Sequence, residues 1–362
     1  MAYTDYDSFS MCFSLLKIKY VEYDESLTKL NKLSPQDKVN VFINFETILK
    51  FLSTVKDIDK KIYSVNDFKE IMVSNMLNLC AHYRRFYRGN GLDTRVFLYF
   101  TELDSSSFNE SEIFSDYRSY YQCKYLTNPR FAMIGEELMD SIIPTAKTIA
   151  NFIPGVHVVS GKNIEGSLIP MIIAKNDESR KNVIISGDIL EASYMYEPNF
   201  ITHIIRRSPL NSSISATIPE ILKNILRKQD TDEISELYMT NRSFYTLLVS
   251  ALGEKYRSID GIPGMGYGIV TKMLYKGIDE HIITPSTTRL ELLSKLFPEN
   301  QRDDIMTNFR CLHLPSMYDT LTKTQIYSIL SQLEDRVDNN SLLKLNGKEF
   351  YRHPLMLEEL TM

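Results

Sequence analysis

Four short apolar runs, Val39–Ile43, Val96–Phe100, Val156–Val159 and Asn182–Ile185, do most to limit what this chain can fold into. Each is bounded by polar residues or by Gly and Pro, and each is too short for a buried helix. Continuous apolar character, rather than strict alternation, marks strands covered on both faces. Helical periodicity separates them; Asp67–Phe86, for example, carries Phe68, Ile71, Met72, Met76, Leu79 and Tyr83 at helix spacing. Strands alternating with helices predict an α/β fold on a parallel sheet. From about Pro209 the pattern turns helical, with candidate helices at Ile218–Arg227, Phe244–Leu252, Ile269–Lys276, Thr288–Leu296 and Lys323–Leu333. We expect an α/β domain over residues 37–208, a helical region over 209–300 and a C-terminal helical extension over 301–362.

Composition narrows the functional classes. Hydrophobic residues make up 43% and charged residues 24% of 362 positions, which excludes global disorder. The net charge of −5 gives no bulk attraction to nucleic acid, so any such contact needs a local basic patch. Cys12, Cys80, Cys123 and Cys311 lie far apart with no CxxC, against a zinc site or disulfide framework. His82, His157, His203, His281, His313 and His353 show no metal-ligand spacing. No apolar run reaches the roughly 18 residues of a membrane span, and the acidic N-terminus is unlike a signal peptide. The expectation is an intracellular protein or one packaged inside something made there, with no membrane contact. Residues 1–36 are dense in aromatics (Tyr3, Tyr6, Phe9, Phe13, Tyr20, Tyr23) and form either a flap on the chain's own surface or a docking arm for a protein partner.

The segment 253–274, GEKYRSIDGIPGMGYGIVTKML, carries glycines at 261, 264, 266 and 268 just ahead of an apolar-periodic stretch. Glycine permits positive φ and close backbone approach. Successive N–H groups at a helix start favour an anion. The segment reads as a tight turn opening a helix, either a phosphate-binding hairpin or a corner needing glycine only for packing. It follows no strand, so a dinucleotide fingerprint is excluded.

This stretch resembles the helix–hairpin–helix of the structure-specific 5′ nucleases, the flap endonucleases and the 5′-nuclease domain of bacterial DNA polymerase I. Their pattern is GDxSDNxPGVxGIGxKTAxxLL. Gly261, Gly264, Met265 and Gly266 fall on its G, G, I and G positions and Leu274 on its last L, while Gly268 stands on its K and Lys272 follows four residues later. Further elements follow in the family's order. VNVFINFETIL at 39–49 is similar to the first strand, and RVFLYFTEL at 95–103 to the second. SDYRSYYQCKY at 115–125 is similar to the arch segment, matching at Tyr120 and Lys124. IPGVHVVSGKNIEGSLIPMII at 153–173 and VIISGDILEASYM at 183–195 are similar to two acidic elements. The resemblance implies a three-layer PIN-like 5′-nuclease domain with a parallel sheet, followed by a helical hairpin region that clamps duplex backbone. It also implies Mg²⁺ chemistry if the chain is active, and a monovalent cation at the hairpin.

The acidic positions that gather metal in that family depart from its pattern. They fall on Asn44, Thr101, Glu165, Ser167, Leu168, Asp188, Leu190, Glu254 and Arg257. Glu165, Asp188 and Glu254 keep a carboxylate, whereas hard Mg²⁺ needs a cage of oxygen ligands. Arg257 would repel a dication and pair with the remaining acids as a structural ion pair. Glu46, Glu102 and Glu191 lie one or two positions from lost acids, and a one-residue shift on a strand reverses a side chain's face. The degeneracy implies no catalytic residue, no resident metal (Glu165, Asp188 and Glu254 being the ligands if there is one) and a DNA-binding or scaffolding role in a bacteriophage-type replication, transcription or packaging assembly. Binding candidates are Gly261, Gly264, Gly266, Gly268 and Lys272 of the hairpin, Arg84, Arg85 and Arg88 of the basic–aromatic helix end, and Lys124. For the arginines, a solvent-facing helix C-terminus is the competing reading. Two further alternatives stand: an active metal-dependent 5′ nuclease with a rearranged site, and a structural virion protein making no nucleic-acid contact.

Overall fold

The structure, a computed structural model, describes residues 33–34, 36–44, 80, 83–84, 87–89, 91–102, 143–150, 155–162, 164–186, 190–197, 199–205, 215–216, 242–253, 259–282, 284 and 286–334. The aromatic arm before residue 33, most of the Asp67–Phe86 helix, the Ile218–Arg227 segment and the arch-like segment with Lys124 lie outside these residues.

All four expected strands form, as β1 (Lys38–Asn44), β2 (Asp93–Glu102), β3 (Val156–Lys162) and β4 (Arg180–Ser186). Two more, β5 (Phe200–Ile205) and the short β6 (Ser215–Ala216), extend the sheet, giving the order β3-β2-β1-β4-β5-β6. The first five strands pair in parallel and β6 is antiparallel. The apolar runs therefore have the cause inferred for them. Val39 through Asn44 are all buried, so both faces of the central strand are covered. The run Phe200–Ile205 is not among the expected strands, because Thr202 and His203 interrupt its apolar character.

Register is set by a row of stacked rings. Phe42, Phe97 and His157 occupy paired positions on β1, β2 and β3. Phe42 and Phe97 stack with centroids 5.0 Å apart, as do Phe97 and His157. On the other side of β1, Asn40 donates its amide to Asn182 of β4 at 3.0 Å, again between paired positions. A slip of one residue would turn every one of these side chains to the other face.

The described helices are α1 (Ile143–Ala150), α2 (Ile169–Asn176), α3 (Arg242–Leu252), α4 (Tyr267–Asp279), α5 (Arg289–Leu296), α6 (Arg302–Leu312), α7 (Leu314–Asp319) and α8 (Lys323–Glu334). None is long and apolar enough to cross a membrane. A capping box between Thr288 and Glu291 starts α5, and Thr322 with Gln325 repeats that arrangement before α8. One apolar cluster runs from Phe42 and Tyr99 of the sheet through α2 and Tyr194 to Leu248, Phe309 and Ile329 of the helical part. Helix α3 packs on the 3₁₀ turn Leu190–Tyr196, and α7 on the 3₁₀ turn Gly166–Leu168. Both turns lie past strand ends, so the helices roof the C-terminal edge of the sheet.

Helix α8 returns to the outer strand β3. Gln332 donates to the Ser160 carbonyl at 2.8 Å and accepts the Ser160 N–H at 3.1 Å. Lys147 joins them, bonding Ser160 Oγ at 2.7 Å and Gln332 Oε1 at 3.1 Å. One side-chain amide thus does for Ser160 what a further strand would do. Gln332→Ala removes both main-chain partners and is expected to lower stability by about 1–3 kcal/mol in denaturant titration.

Candidate functional site

The order of the sheet fixes where a site can form. The chain runs outward from β1 through β2 to β3, then crosses back to place β4 on the other side of β1. At such a reversal the connections after neighbouring strands diverge and leave a crevice at their C-terminal ends. Asn44, the last residue of β1, sits at that crevice and is 3% exposed.

Its amide Nδ2 donates to Glu191 Oε1 at 2.9 Å. Glu191 is fully buried, at 0% exposure. The family pattern aligns Leu190 with the acidic position, but Leu190 enters the apolar cluster beside Tyr194. The face-reversal that makes Glu102 a poor substitute on a strand does not apply at Glu191. Residues 190–196 form a 3₁₀ turn, in which neighbours are about 120° apart rather than on opposite faces. Glu191, one of the acids adjacent to a lost acidic position, is the one the structure brings to Asn44.

Glu165 is the second described carboxylate at this edge and is 3% exposed. It precedes the 3₁₀ turn Gly166–Leu168, whose first N–H donates to Thr101 Oγ1 at 3.0 Å. A Cβ on Gly166 would lie 2.8 Å from the Thr101 nitrogen, so the turn comes this close to β2 only as glycine. Tyr194 donates its hydroxyl to the Ser167 carbonyl at 2.5 Å, tying the two turns together. Leu168 enters the core and offers no ligand atom. Asp188, Glu254 and Arg257 lie outside the described residues, and with them the ion pair expected of Arg257.

A divalent cation fits the described edge poorly. It would need several oxygen ligands, whereas Asn44 turns an N–H donor towards Glu191. Among the described residues no three His, Cys, Asp or Glu side chains gather as a metal site. Burial pushes the Cys80 thiol up to about 12, which keeps it protonated. His157 and His313, both half-buried, stack on Phe97 and Phe309.

The basic–aromatic cluster at residues 83–91 does not form one surface. Tyr83, Arg84 and Tyr87 are buried, and Arg88 faces solvent. Helical phase turns positions 83, 84 and 87 inward together. The Nε of Arg84 lies 3.5 Å from where a Cβ of Gly155 would stand, beside the start of β3, so this side chain is packed against the sheet rather than presented to a ligand. Arg85 lies outside the described residues.

The glycine segment forms a hairpin between α3 and α4. Gly253 has φ +78°, and a Cβ there would meet the Gly261 nitrogen at 2.3 Å. A Cβ on Gly261 would meet the Leu252 carbonyl oxygen at 2.5 Å. These two glycines let the chain close on itself, anchored by the Ile262 N–H on the Ala251 carbonyl. Pro263 and Gly264 then make a turn closed by the Met265 N–H on the Ile262 carbonyl, with Gly264 at φ +81°. Gln301 donates to the Pro263 carbonyl at 3.0 Å, and Asn308 to the Ser250 and Asp260 carbonyls at 2.9 and 3.0 Å. The hairpin is therefore braced from α6 and the turn before it.

Its outer surface differs. Gly264, Gly266 and Gly268 have nothing within 4 Å of a Cβ. Helix α4 begins at Tyr267, and its first intrahelical acceptor, the Gly266 carbonyl, takes the Ile269 and Val270 N–H groups. The N–H groups of Tyr267 and Gly268 precede that bond and point out of the helix start. Lys272 is exposed one turn further along, while Lys276 pairs with Glu280 at 3.8 Å on the surface. The glycines thus divide into two that pack and three that leave backbone open.

The fold and its edge define an α/β protein with a buried polar cluster at the switch point of a parallel sheet and a glycine hairpin in its helical part. No protein-family model matches the chain, and no curated protein matches it. Among solved structures it is similar to a T5 protein co-crystallised with metal ions, at 13% identity and a TM-score of 0.49, covering 82% of this chain and 99% of that one. It is similar to the bacteriophage T5 flap endonuclease in a pseudo-enzyme–product complex with DNA and metal ions, at 13% identity and a TM-score of 0.45, covering 90% and 100%. A T5 5′-exonuclease with bound zinc is similar at 11% identity and a TM-score of 0.47, covering 83% and 100%.

The division among the glycines makes a direct test. Gly261→Ala forces a methyl into the Leu252 carbonyl and is expected to cost more than about 2 kcal/mol. Gly268→Ala, within the first turn of α4 and in open space, is expected to leave stability unchanged or raise it by about 0.5–1 kcal/mol. Thermal melts of the two variants separate these outcomes.

Proposed function

We propose that this chain is a DNA-backbone-binding protein of the 5′-nuclease type whose hydrolytic centre has become a hydrogen-bonded polar cluster. The observation that carries the reading is the hairpin: open backbone at Gly264, Gly266 and Gly268, the first N–H groups of α4, and Lys272 one turn on. Backbone donors at a helix start favour a phosphate. Contacts of this kind position a duplex without reading its bases. The braces from Gln301 and Asn308 favour the reading, because a rigid loop loses little entropy on binding. A monovalent cation at hairpin carbonyls belongs to the same proposal, as the resemblance implies.

At the edge of the sheet, Asn44 and Leu168 stand where that family gathers metal with carboxylates, which supports the loss of hydrolysis. Retaining the fold without its chemistry fits a scaffolding subunit in a viral replication, transcription or packaging assembly, in the host cytoplasm or the virion. Residues 1–36 are the proposed dock for a protein partner. One observation favours a second reading: Glu191, the acid next to Leu190, brings a carboxylate to Asn44. With Glu165, Asp188 and Glu254 it would serve a rearranged nuclease.

The test is a gel-shift and cleavage titration on a labelled 5′-flap DNA with Mg²⁺, with Mn²⁺ and with chelator. The expected result is retention without cleavage, indifferent to chelator and weakened by salt. Lys272→Glu is expected to weaken binding by about tenfold and to reduce the salt slope by about 1. Metal-dependent cleavage abolished by Asp188→Ala would establish the second reading. No retention at low salt would leave the chain as a structural component.

A further inference from the structure

We infer that the Asn44–Glu191 hydrogen bond takes the place of a divalent cation at the sheet's C-terminal edge, and that the Asn44 amide is what keeps a cation out. The inference rests on the reading of this edge as a converted hydrolytic centre, but its test contains no DNA.

A carboxylate at 0% exposure must be compensated by donors or by a cation. Here Asn44 supplies a donor, at 2.9 Å from Glu191 Oε1. The amide can present either nitrogen or oxygen, and against a carboxylate oxygen only the nitrogen is attractive. Asn44 has little freedom to leave: it ends a strand locked by the Phe42–Phe97 stack and is paired in register with Tyr99. Glu191 is equally held, because Leu190 and Tyr194 of the same 3₁₀ turn are packed into the core and Tyr194 is bonded to the Ser167 carbonyl. The neighbouring strands carry oxygen-bearing groups near the same edge, Thr101 on β2 and Ser186 at the end of β4, both buried, and Glu165 precedes the turn that meets Thr101. Among the described residues, the N–H of Asn44 is turned towards Glu191 where a hard cation would need an oxygen ligand.

Replacing that group reverses the preference. Asn44→Asp keeps the shape, removes the donor and sets two carboxylates facing each other, which a divalent cation between them relieves. Purified wild type and Asn44→Asp are titrated with Mn²⁺ alone, followed by calorimetry and by thermal melting in chelator and in Mn²⁺. We expect Asn44→Asp to melt below wild type in chelator, to recover with Mn²⁺, and to bind Mn²⁺ at least about tenfold more tightly than wild type. Adding Glu191→Gln to that variant is expected to abolish the gain. Asn44→Ser, which removes the amide without adding charge, provides a folded comparison should the Asp variant fail to fold, and it too is expected to bind Mn²⁺ more tightly than wild type. Equal Mn²⁺ affinity in wild type and a folded Asn44 variant overturns the inference. Tight binding to wild type overturns it and also the metal-free reading of the edge, while leaving the hairpin's DNA contact to its own test.

Discussion

The position of β1 is the constraint from which the rest of the molecule follows. It is the strand with parallel neighbours on both sides that belong to different halves of the chain, β2 on one side and β4 on the other. The ring row through Phe42, Phe97 and His157 holds one side, and the Asn40–Asn182 amide pair holds the other. Neither device is a strong interaction. Stacked aromatic pairs add about 0.5–1.5 kcal/mol beyond their burial, and a neutral hydrogen bond about 1 kcal/mol net. Their weight comes from specificity, since a shifted register would bury unmatched amides and break the row. With register fixed, Asn44 can end only at the crevice.

The second half of the cluster depends on a different kind of order. Glu165, Ser167 and Glu191 all sit in or beside 3₁₀ turns that follow strands or precede helices. Such turns are short and make poor hydrogen bonds of their own. They hold because apolar neighbours on the same turns, Leu168, Leu190 and Tyr194, are anchored in the core beneath the helical part. The helices therefore act on the site without lining it: α3 and α7 clamp the two turns, and the turns aim the polar groups. A buried polar cluster of this kind is high-stakes, because each unpaired member costs far more in the interior than in water.

How much of this was legible in the sequence varied with the range of the forces involved. The first four strands were plain because burial on both faces leaves an uninterrupted apolar run, as in Val39–Ile43. β5 was not, because Thr202 and His203 break its apolar run. The hairpin announced itself through its glycines, but sequence could not separate Gly261, which packs, from Gly268, which does not. That difference depends on Leu252 coming within 2.5 Å, a tertiary fact. The braces at Gln301 and Asn308 left no local signal at all, being ordinary polar residues on helix surfaces. Arg84 read as surface because its neighbours are basic, whereas helical phase relative to the sheet decided its burial. Glu191 was visible as one of three acids beside lost positions, but nothing local separated it from Glu46 and Glu102, because its place depends on a 3₁₀ turn after the strand.

The contact between Gln332 and Ser160 also bears on the order in which this protein can be made. Among the described strands β3 pairs with β2 alone, and its other edge is covered at Ser160 by a side chain that the ribosome delivers some 172 residues later. At the usual pace of synthesis, roughly 5–20 residues per second, that edge stays uncovered for about ten seconds or more. During that interval the nascent sheet offers a ready template for any other extended chain. The Lys147 ammonium, already beside Ser160 and close to β3 in sequence, places a positive charge at the open edge before the permanent cover arrives. Charge at an edge discourages strand addition, so α1 guards in the nascent chain what α8 seals in the finished one.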